Sequence, residues 1–309
     1  MALRSDPPRL DLAPLRGNLI CMASMLLWAA GFPAAQALLS HWQVLPLIVA
    51  RFLLAVALLI PAWLLLDGPR AVLHARWGRG TLVGGMGFGL GAWLLLAAQS
   101  LTDPVTVAIV ASSMPVSAAL LEMVLDGRRL TGGFVAGLGL ATLGGLVAIT
   151  GGAAEGEALW LGALAAVASC GLFVWGSRQT VRDFADLSEV GRTTITLAGG
   201  GLVLTAILLA SLAAGHSHLP AQAPDAADWR NLLIYAVGSM ALSQLLWLMG
   251  VSRLGVALAS FHINTAPFYV MLILVTLGQG WSWQQAAGAG IVIAGVVVAQ
   301  RRPRGARIA

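Results

Sequence analysis

The chain has 309 residues, of which 58% are hydrophobic, 37 are glycine and only 10% are charged. A soluble domain carries about 25% charged residues, so a water-soluble globule is excluded: this much hydrocarbon has too little charge to coat it. Two cysteines, abundant Leu, Ile and Val and the absence of a glycine period exclude a disulfide scaffold, a disordered chain and collagen.

A bilayer core about 30 Å thick takes about 20 helical residues. Apolar stretches of that length, each with at most one Asp, Glu or Arg, run over about 17–39, 45–66, 80–101, 104–125, 131–151, 158–177, 192–213, 231–251, 255–277 and 284–300. The predicted fold is therefore an all-α integral membrane protein with ten transmembrane helices. A barrel would alternate apolar and polar residues at period two, and these runs are apolar on all sides. The uncharged stretch from Leu254 to Gln300 divides at Gly278–Gln284, a polar, aromatic segment that reads as an interfacial turn.

All eighteen basic residues are arginine. With the N-terminus inside, sixteen collect in cytoplasmic segments: 1–16, about 70–79, 128–129, 178–192, Arg253 and the basic tail 301–309. Arg230 alone falls in an outside loop, and Arg51 lies within a span. The positive-inside rule thus predicts a multi-pass inner (plasma) membrane protein with both termini cytoplasmic and an even number of crossings. The positive charge is assigned to contact with membrane lipids, not to nucleic acid. Arg4, Arg9 and Arg16 before an apolar stretch, with Ala35-Gln36-Ala37 beyond, also fit a signal peptide, but its removal would leave nine crossings.

The halves 17–151 and 157–300 each hold five spans with landmarks in the same order. Trp28 answers Trp175, Arg51 answers Arg192, and Ser112-Ser113-Met114-Pro115 answers Ile263-Asn264-Thr265-Ala266-Pro267. The glycine-rich fifth span answers the tenth. Five is odd, so the second copy enters the membrane from the opposite side, and the predicted architecture is two inverted five-helix repeats suited to alternating access.

Four features carry a family resemblance. They are the early tryptophan, the segment Arg51-Phe52-Leu53-Leu54-Ala55, the prolines of spans four and nine, and the closing helices Leu138–Gly145 and Gly290–Gly295. In these the chain resembles the drug/metabolite transporter superfamily, in its ten-helix branch built from two EamA-type repeats. Many such repeats carry a Gly-Glu-Arg-Leu turn after the fourth helix. Here the corresponding stretches are Gly127-Arg128-Arg129-Leu130 and Gly278-Gln279-Gly280-Trp281, and without that acid the chain is more similar to the aromatic amino-acid exporters. The resemblance implies a secondary transporter that exports amino acids or related small metabolites; other organic solutes or drugs are the alternative.

The polar residues within spans are the candidates for a substrate site. Pro115 and Pro267 fall near the middle of spans four and nine, where proline frees the carbonyl four residues back, at Ala111 and Ile263. Ser112, Ser113, Asn264 and Thr265 beside them either satisfy that backbone or face a solvated cavity. Met240, Ser243, Gln244 and Trp247 follow i, i+3, i+4, i+7 and share a helical face, as do Trp28, Phe32 and Gln36 at i, i+4, i+8. The amides Gln36 and Gln244 would suit the amine or carboxylate of a zwitterion, or would bond neighbouring helices. Trp93 and Trp175 join the same list.

Ionisable groups within spans are costly, and so are functional candidates. Arg51 would attract a substrate carboxylate, or pair with a carbonyl or Asp103. Arg192 reads as snorkelling to the interface. Glu122 approaches the inner interface beside Arg128 and Arg129, as a gate or a helix-end ion pair. His262 is placed for a proton-linked or substrate-sensing role, or for an interhelical hydrogen bond. With Arg51 and Glu122, the two prolines are read as gate or hinge positions.

The pairs Gly85/Gly89, Gly87/Gly91 and Gly133/Gly137 are spaced for close helix approach, and the run Gly84–Gly91 lacks the lysine of a phosphate loop. Cys21 and Cys170 read as small buried residues. No cofactor or metal is expected. An intramembrane enzyme would need a constellation such as Gly-x-Ser-x-Gly or His-Glu-x-x-His, which the chain lacks. A channel or lipid-translocating protein is the remaining rival.

Overall fold

A computed structural model of the chain describes residues 13–127, 131–149, 156–218, 220 and 222–300. Helix α1 (Ala13–Leu39) is followed by α2 (Val44–Leu73) and α3 (Trp77–Val83), which runs through a π-helical stretch, Gly84–Leu90, into α4 (Gly91–Leu101). Then come α5 (Pro104–Ala111), α6 (Met114–Asp126), α7 (Gly132–Ile149), α8 (Gly156–Asp183) and α9 (Glu189–Ala213). Helix α10 (Ala226–Leu233) passes through a second π-helical stretch, Ile234–Leu242, into α11 (Ser243–Ser260). A 3₁₀ turn, Phe261–Thr265, leads to α12 (Ala266–Thr276), and α13 (Trp283–Gln300) closes the bundle. There is no strand among the described residues.

Seven helical segments of 22 to 30 residues are long and apolar enough to cross a membrane, and three shorter apolar helices, Gly132–Ala148, His262–Thr276 and Trp283–Val298, accompany them. Their outward faces carry hydrocarbon: Leu65, Leu164 and Trp160 are 87%, 67% and 61% exposed. Such a surface suits lipid and not water. The apolar span closes at Gly250, as expected, while helix α11 itself continues through 251–255 to Ser260.

Four helix-against-helix associations organise the interior. Helix α1 lies along α10, the second π stretch and α11, while α8 lies along the first π stretch and α4. Helix α2 packs on α9, and α7 packs on α13. Glycine makes these approaches close. A Cβ on Gly87 would come within 2.5 Å of the Gly176 Cα, and one on Gly144 within 2.6 Å of the Val292 nitrogen. One on Gly295 would stand 2.6 Å from the Ala141 nitrogen. These are backbone-on-backbone contacts of the small-residue kind that drive association in lipid.

The proline expectation requires correction. Pro115 and Pro267 do not kink continuous helices. They lie in the first turns of α6 and α12, after the breaks at Ser112–Ser113 and Phe261–Thr265. A first-turn residue has no intrahelical N–H bond to lose, so proline costs nothing there and stabilises a new helix start.

Polar contacts tie the loops at each end. Arg76 pairs with Asp186 at 2.6 Å and Arg79 with Asp183 at 2.7 Å, joining the α2–α3 turn to the α8–α9 turn. Asp67 accepts from Trp63 Nε1 at 3.0 Å and from the Ser188 hydroxyl. At the other end His41 Nε2 meets Asp228 at 2.8 Å.

The α7–α13 contact gives a test. Gly295→Leu places a side chain against the α7 backbone, whereas Gly290 has nothing within 4 Å of its Cβ position and is exposed. Overpacking at the first site should cost about 1–3 kcal/mol or more. The expected result is a lowered melting temperature in detergent for Gly295→Leu and an unchanged one for Gly290→Leu. Equal melting temperatures would refute the close approach.

Candidate functional site

Polar groups from four elements converge on a small cleft between α1, α2, α4 and the second π stretch. Its lining includes Trp28, Phe32, Arg51, Gln99, Tyr235 and Ser239. The cavity holds about 20 Å³, room for a water molecule but not for an organic solute.

Arg51 is the centre of this cluster. It lies seven residues into α2 from Val44, about 10 Å along the helix, and is only 6% exposed. Its Nε donates to the Tyr235 carbonyl at 3.0 Å, and Nη2 donates to the Ser239 carbonyl at 3.4 Å and to Ser239 Oγ at 3.1 Å. The guanidinium carbon stands 3.8 Å from the centroid of the Tyr235 ring, a cation–π contact. No carboxylate lies within ion-pair distance of it among the described residues. The charge is thus held by dipoles and a ring face alone.

The π-helical backbone makes this possible. Tyr235 and Ser239 lie within Ile234–Leu242, and a π turn is wider than an α turn, which opens its carbonyls to a side chain alongside. Ser239 Oγ also donates to the Trp28 carbonyl at 3.1 Å. It reaches α1 only because residue 31 is glycine; a Cβ there would collide with Ser239 Oγ. From the other flank, Gln99 Nε2 donates to the Phe32 carbonyl at 2.7 Å and to Gln36 Oε1 at 3.3 Å. The stretch of α1 next to Pro33 is therefore clasped by Gln99 and Ser239 from two sides.

The sequence-derived candidates are only partly brought together. Trp28 lines the cleft and stacks edge-on to Phe32, with ring centroids 5.0 Å apart. Gln36 sits at its margin, exposed, as the acceptor for Gln99. Trp93 packs, partly buried, in the neighbouring apolar cluster with Phe52 and Met240. The stripe Met240, Ser243, Gln244 and Trp247 divides: Met240 joins that cluster, while Trp247 packs in a second one with Met25, Cys170 and Ile263. The Ser243 carbonyl accepts from Ser24 Oγ at 2.8 Å, and Gln244 is half-buried.

Several candidates serve the backbone. Ser112 and Ser113 hydroxyls donate to the carbonyls of Ile109 and Val110, each at 2.7 Å, and Thr265 to that of His262 at 2.7 Å. His262 Nδ1 reaches the Ala259 carbonyl at 3.2 Å. Asn264 differs: it is buried, and its Oδ1 has no hydrogen-bond partner among the described residues. Trp175 is half-buried in α8, Pro115 and Pro267 are buried, and the side chain of Glu122 lies outside the described residues. Asp103, one partner weighed for Arg51, instead accepts from Gln285 Nε2 at 3.0 Å and from Thr106. Arg192 donates to the Phe184 and Ala185 carbonyls, so it does not stand where Arg51 does.

Three residues of the cleft were missed: Gln99, Tyr235 and Ser239. The last two form an i, i+4 pair, one step out of phase with the stripe assigned from Met240 onward. No four-residue rule anticipates the π segment between them.

Comparison with known proteins places this geometry. The EamA-like transporter family matches residues 15–150 and again 158–300. The uncharacterized transporter YyaM of Bacillus subtilis is 27% identical over 219 residues, 69% of each chain. A protein of Streptantibioticus cattleyicolor named as a probable terminal-alkyne amino-acid exporter is 27% identical over 292 residues, covering 92% of this chain and 93% of the exporter. A crystal structure 23% identical superposes with a TM-score of 0.65 over 92% of this chain and 96% of that one, a likeness of fold. With both halves matched, the chain belongs to the EamA-like transporter family and is a multi-pass membrane transporter of small molecules.

Proposed function

We propose that this transporter is a secondary carrier that exports amino acids or related small metabolites by alternating access. It would act through ten transmembrane helices arranged as two inverted five-helix repeats, 17–151 and 157–300, in the inner membrane with both termini cytoplasmic. One observation carries the reading: the helix pairing is preserved when the halves are exchanged. Helix α1 lies on the α10–π–α11 segment as α8 lies on the α3–π–α4 segment, while α2–α9 and α7–α13 are pairs that map onto themselves. The three shorter apolar helices fill the count from seven to ten, and the arginine distribution supports the orientation. The name of the Streptantibioticus relative supports amino acids as cargo.

In this reading the cleft around Arg51 is the substrate cavity in a closed state. The ion pairs of Arg76 and Arg79 would form the inner closure, and His41 with Asp228 the outer one. Opening to one side requires α1 to leave Gln99 or Ser239, which makes the Gln99–Phe32 bond part of the cycle. Asn264, buried with an unused acceptor, is the best second polar contact.

Counterflow of labelled leucine or phenylalanine in proteoliposomes tests the carrier. Saturable exchange accelerated by unlabelled substrate inside is expected; flux linear in concentration would overturn it in favour of a pore. Gln99→Leu should reduce exchange about two- to tenfold, since it removes a buried bond worth roughly 0.5–1.5 kcal/mol and leaves the Phe32 carbonyl facing an apolar side chain. Unchanged exchange would remove Gln99 from the cavity. Topology is read by single cysteines in a Cys21→Ser, Cys170→Ser background. Gly215→Cys should label from the outside and Asp186→Cys only in inverted vesicles; the reverse pattern, Asp186→Cys from the outside and Gly215→Cys only in inverted vesicles, would defeat the inverted arrangement.

A further inference from the structure

Arg51 offers five N–H donors, and three are spent on Tyr235 and Ser239. No backbone carbonyl or carboxylate among the described residues accepts from Nη1, which lies beside the Tyr235 side chain, and Arg51 lines the cleft. A guanidinium this deeply buried normally has a carboxylate partner, because carbonyl dipoles offset only part of its lost hydration. Its partners here are neutral, and the surrounding walls are Phe32, Leu95, Leu96 and Trp28. The cleft therefore combines one positive charge that has no carboxylate partner among the described residues with a lining that is apolar on the side of Phe32, Leu95 and Leu96 and polar at Gln99 and Ser239.

We propose that Arg51 binds the carboxylate of the transported solute, and that the acid exchanges for the π-turn acceptors it now holds. This inference rests on the carrier reading above and gives it a substrate class: a small monocarboxylate with an apolar body, such as a neutral amino acid. The planar guanidinium fork matches a carboxylate with two parallel N–H bonds, which a lysine ammonium cannot copy. Phe32, Leu95, Leu96 and Trp28 supply the contact for the apolar part. Ser239 acts as the positioning residue. Its Oγ ties Arg51 to the Trp28 carbonyl of α1, so a carboxylate that takes over the Nη2 donors loosens the clasp on α1. Binding and helix release are thereby the same event.

The test uses purified wild-type protein and the Arg51→Gln and Arg51→Lys variants, each checked for a single species by size exclusion. In proteoliposomes, unlabelled leucine should compete for counterflow of labelled leucine, while leucinamide and isopentylamine, which lack the carboxylate, should compete about ten- to a hundredfold less well, the worth of one charge-assisted contact. Arg51→Gln should raise KM for leucine by a similar factor and abolish the difference between leucine and leucinamide. Arg51→Lys should lie between. A merely structural Arg51 would lower the amount of folded protein without changing that ratio. A thermal shift measured in detergent with leucine, leucinamide, isopentylamine and 4-methylpentanoate separates this inference from the carrier reading. Stabilisation by the two carboxylates in wild type but not in Arg51→Gln sustains it even where no counterflow is seen. Equal shifts for acid and amide, or leucine shifts that survive Arg51→Gln, would overturn it.

Discussion

A guanidinium held inside the bilayer is the constraint on which this structure turns. A charged side chain at the centre of a membrane helix costs about 2.5–3.5 kcal/mol on insertion scales, and Arg51 has no carboxylate beside it among the described residues to offset that cost. It needs acceptors, and a regular helix hides its carbonyls in its own ladder. The π stretch Ile234–Leu242 opens them, the Tyr235 ring adds a face, and Gly31 leaves the space that Ser239 occupies between α1 and Arg51. Each of these local choices is unfavourable or neutral alone. Together they give a buried charge a partial and weak set of partners, and weak partners can be exchanged.

Exchange also requires helices that can separate. In lipid no hydrophobic force holds helix to helix, since the tails are as apolar as leucine. The bundle relies on glycine-mediated backbone approach, as at Gly87 against Gly176 and Gly144 against α13. Such interfaces are smooth, with few interlocked side chains to disengage. The directional bonds gather mainly at the two ends and around Pro33, with single hydroxyl-to-carbonyl bonds such as Ser169 to Gly91 and Ser24 to Ser243 between helices. That separation of roles suits a molecule whose two halves shift past one another while each helix stays intact.

The sequence was legible where the physics is periodic or compositional. Seven of the expected spans coincide with helices of 22 to 30 residues, since both follow from long apolar runs, and glycine pairs such as Gly87 and Gly91 fall where α8 comes close. Trp28 and Arg51 were found because a large aromatic and a charge inside apolar runs are each conspicuous. Tyr235, Ser239 and Gln99 were not found. The first two sit in a π stretch N-terminal to the stripe that begins at Met240, where carrying a four-residue repeat backward from Met240 reaches Ala236 and passes both by. Gln99 looked like one amide among several until α1 was folded against it. Which carbonyl a buried donor reaches is a tertiary fact, and no local pattern carries it. The prolines mislead in another way: proline marks a discontinuity, but a kink and a fresh helix start look alike in one dimension.

The two halves are alike in path and unlike in what they hold. Both third members carry a π stretch, yet that of the first half, Gly84–Leu90, is packed by backbone: Gly84 against Thr196 and Gly89 against Gly200 of α9. The second, Ile234–Leu242, is packed by the guanidinium of α2. Where Arg51 sits on one side, the partner helix α9 presents glycines: Phe52 lies over Gly200 and Gly201, and Gly199 meets the α3 backbone at Gly80 and Thr81. A duplicated scaffold therefore has one glycine-filled crossing and one charged crossing. Only the second holds a charged side chain, so the proposed chemical recognition falls on one side of a duplicated frame. In the carrier reading proposed above, such a frame has two similar ways to bend and one place to bind, which is what alternating exposure of a single site demands.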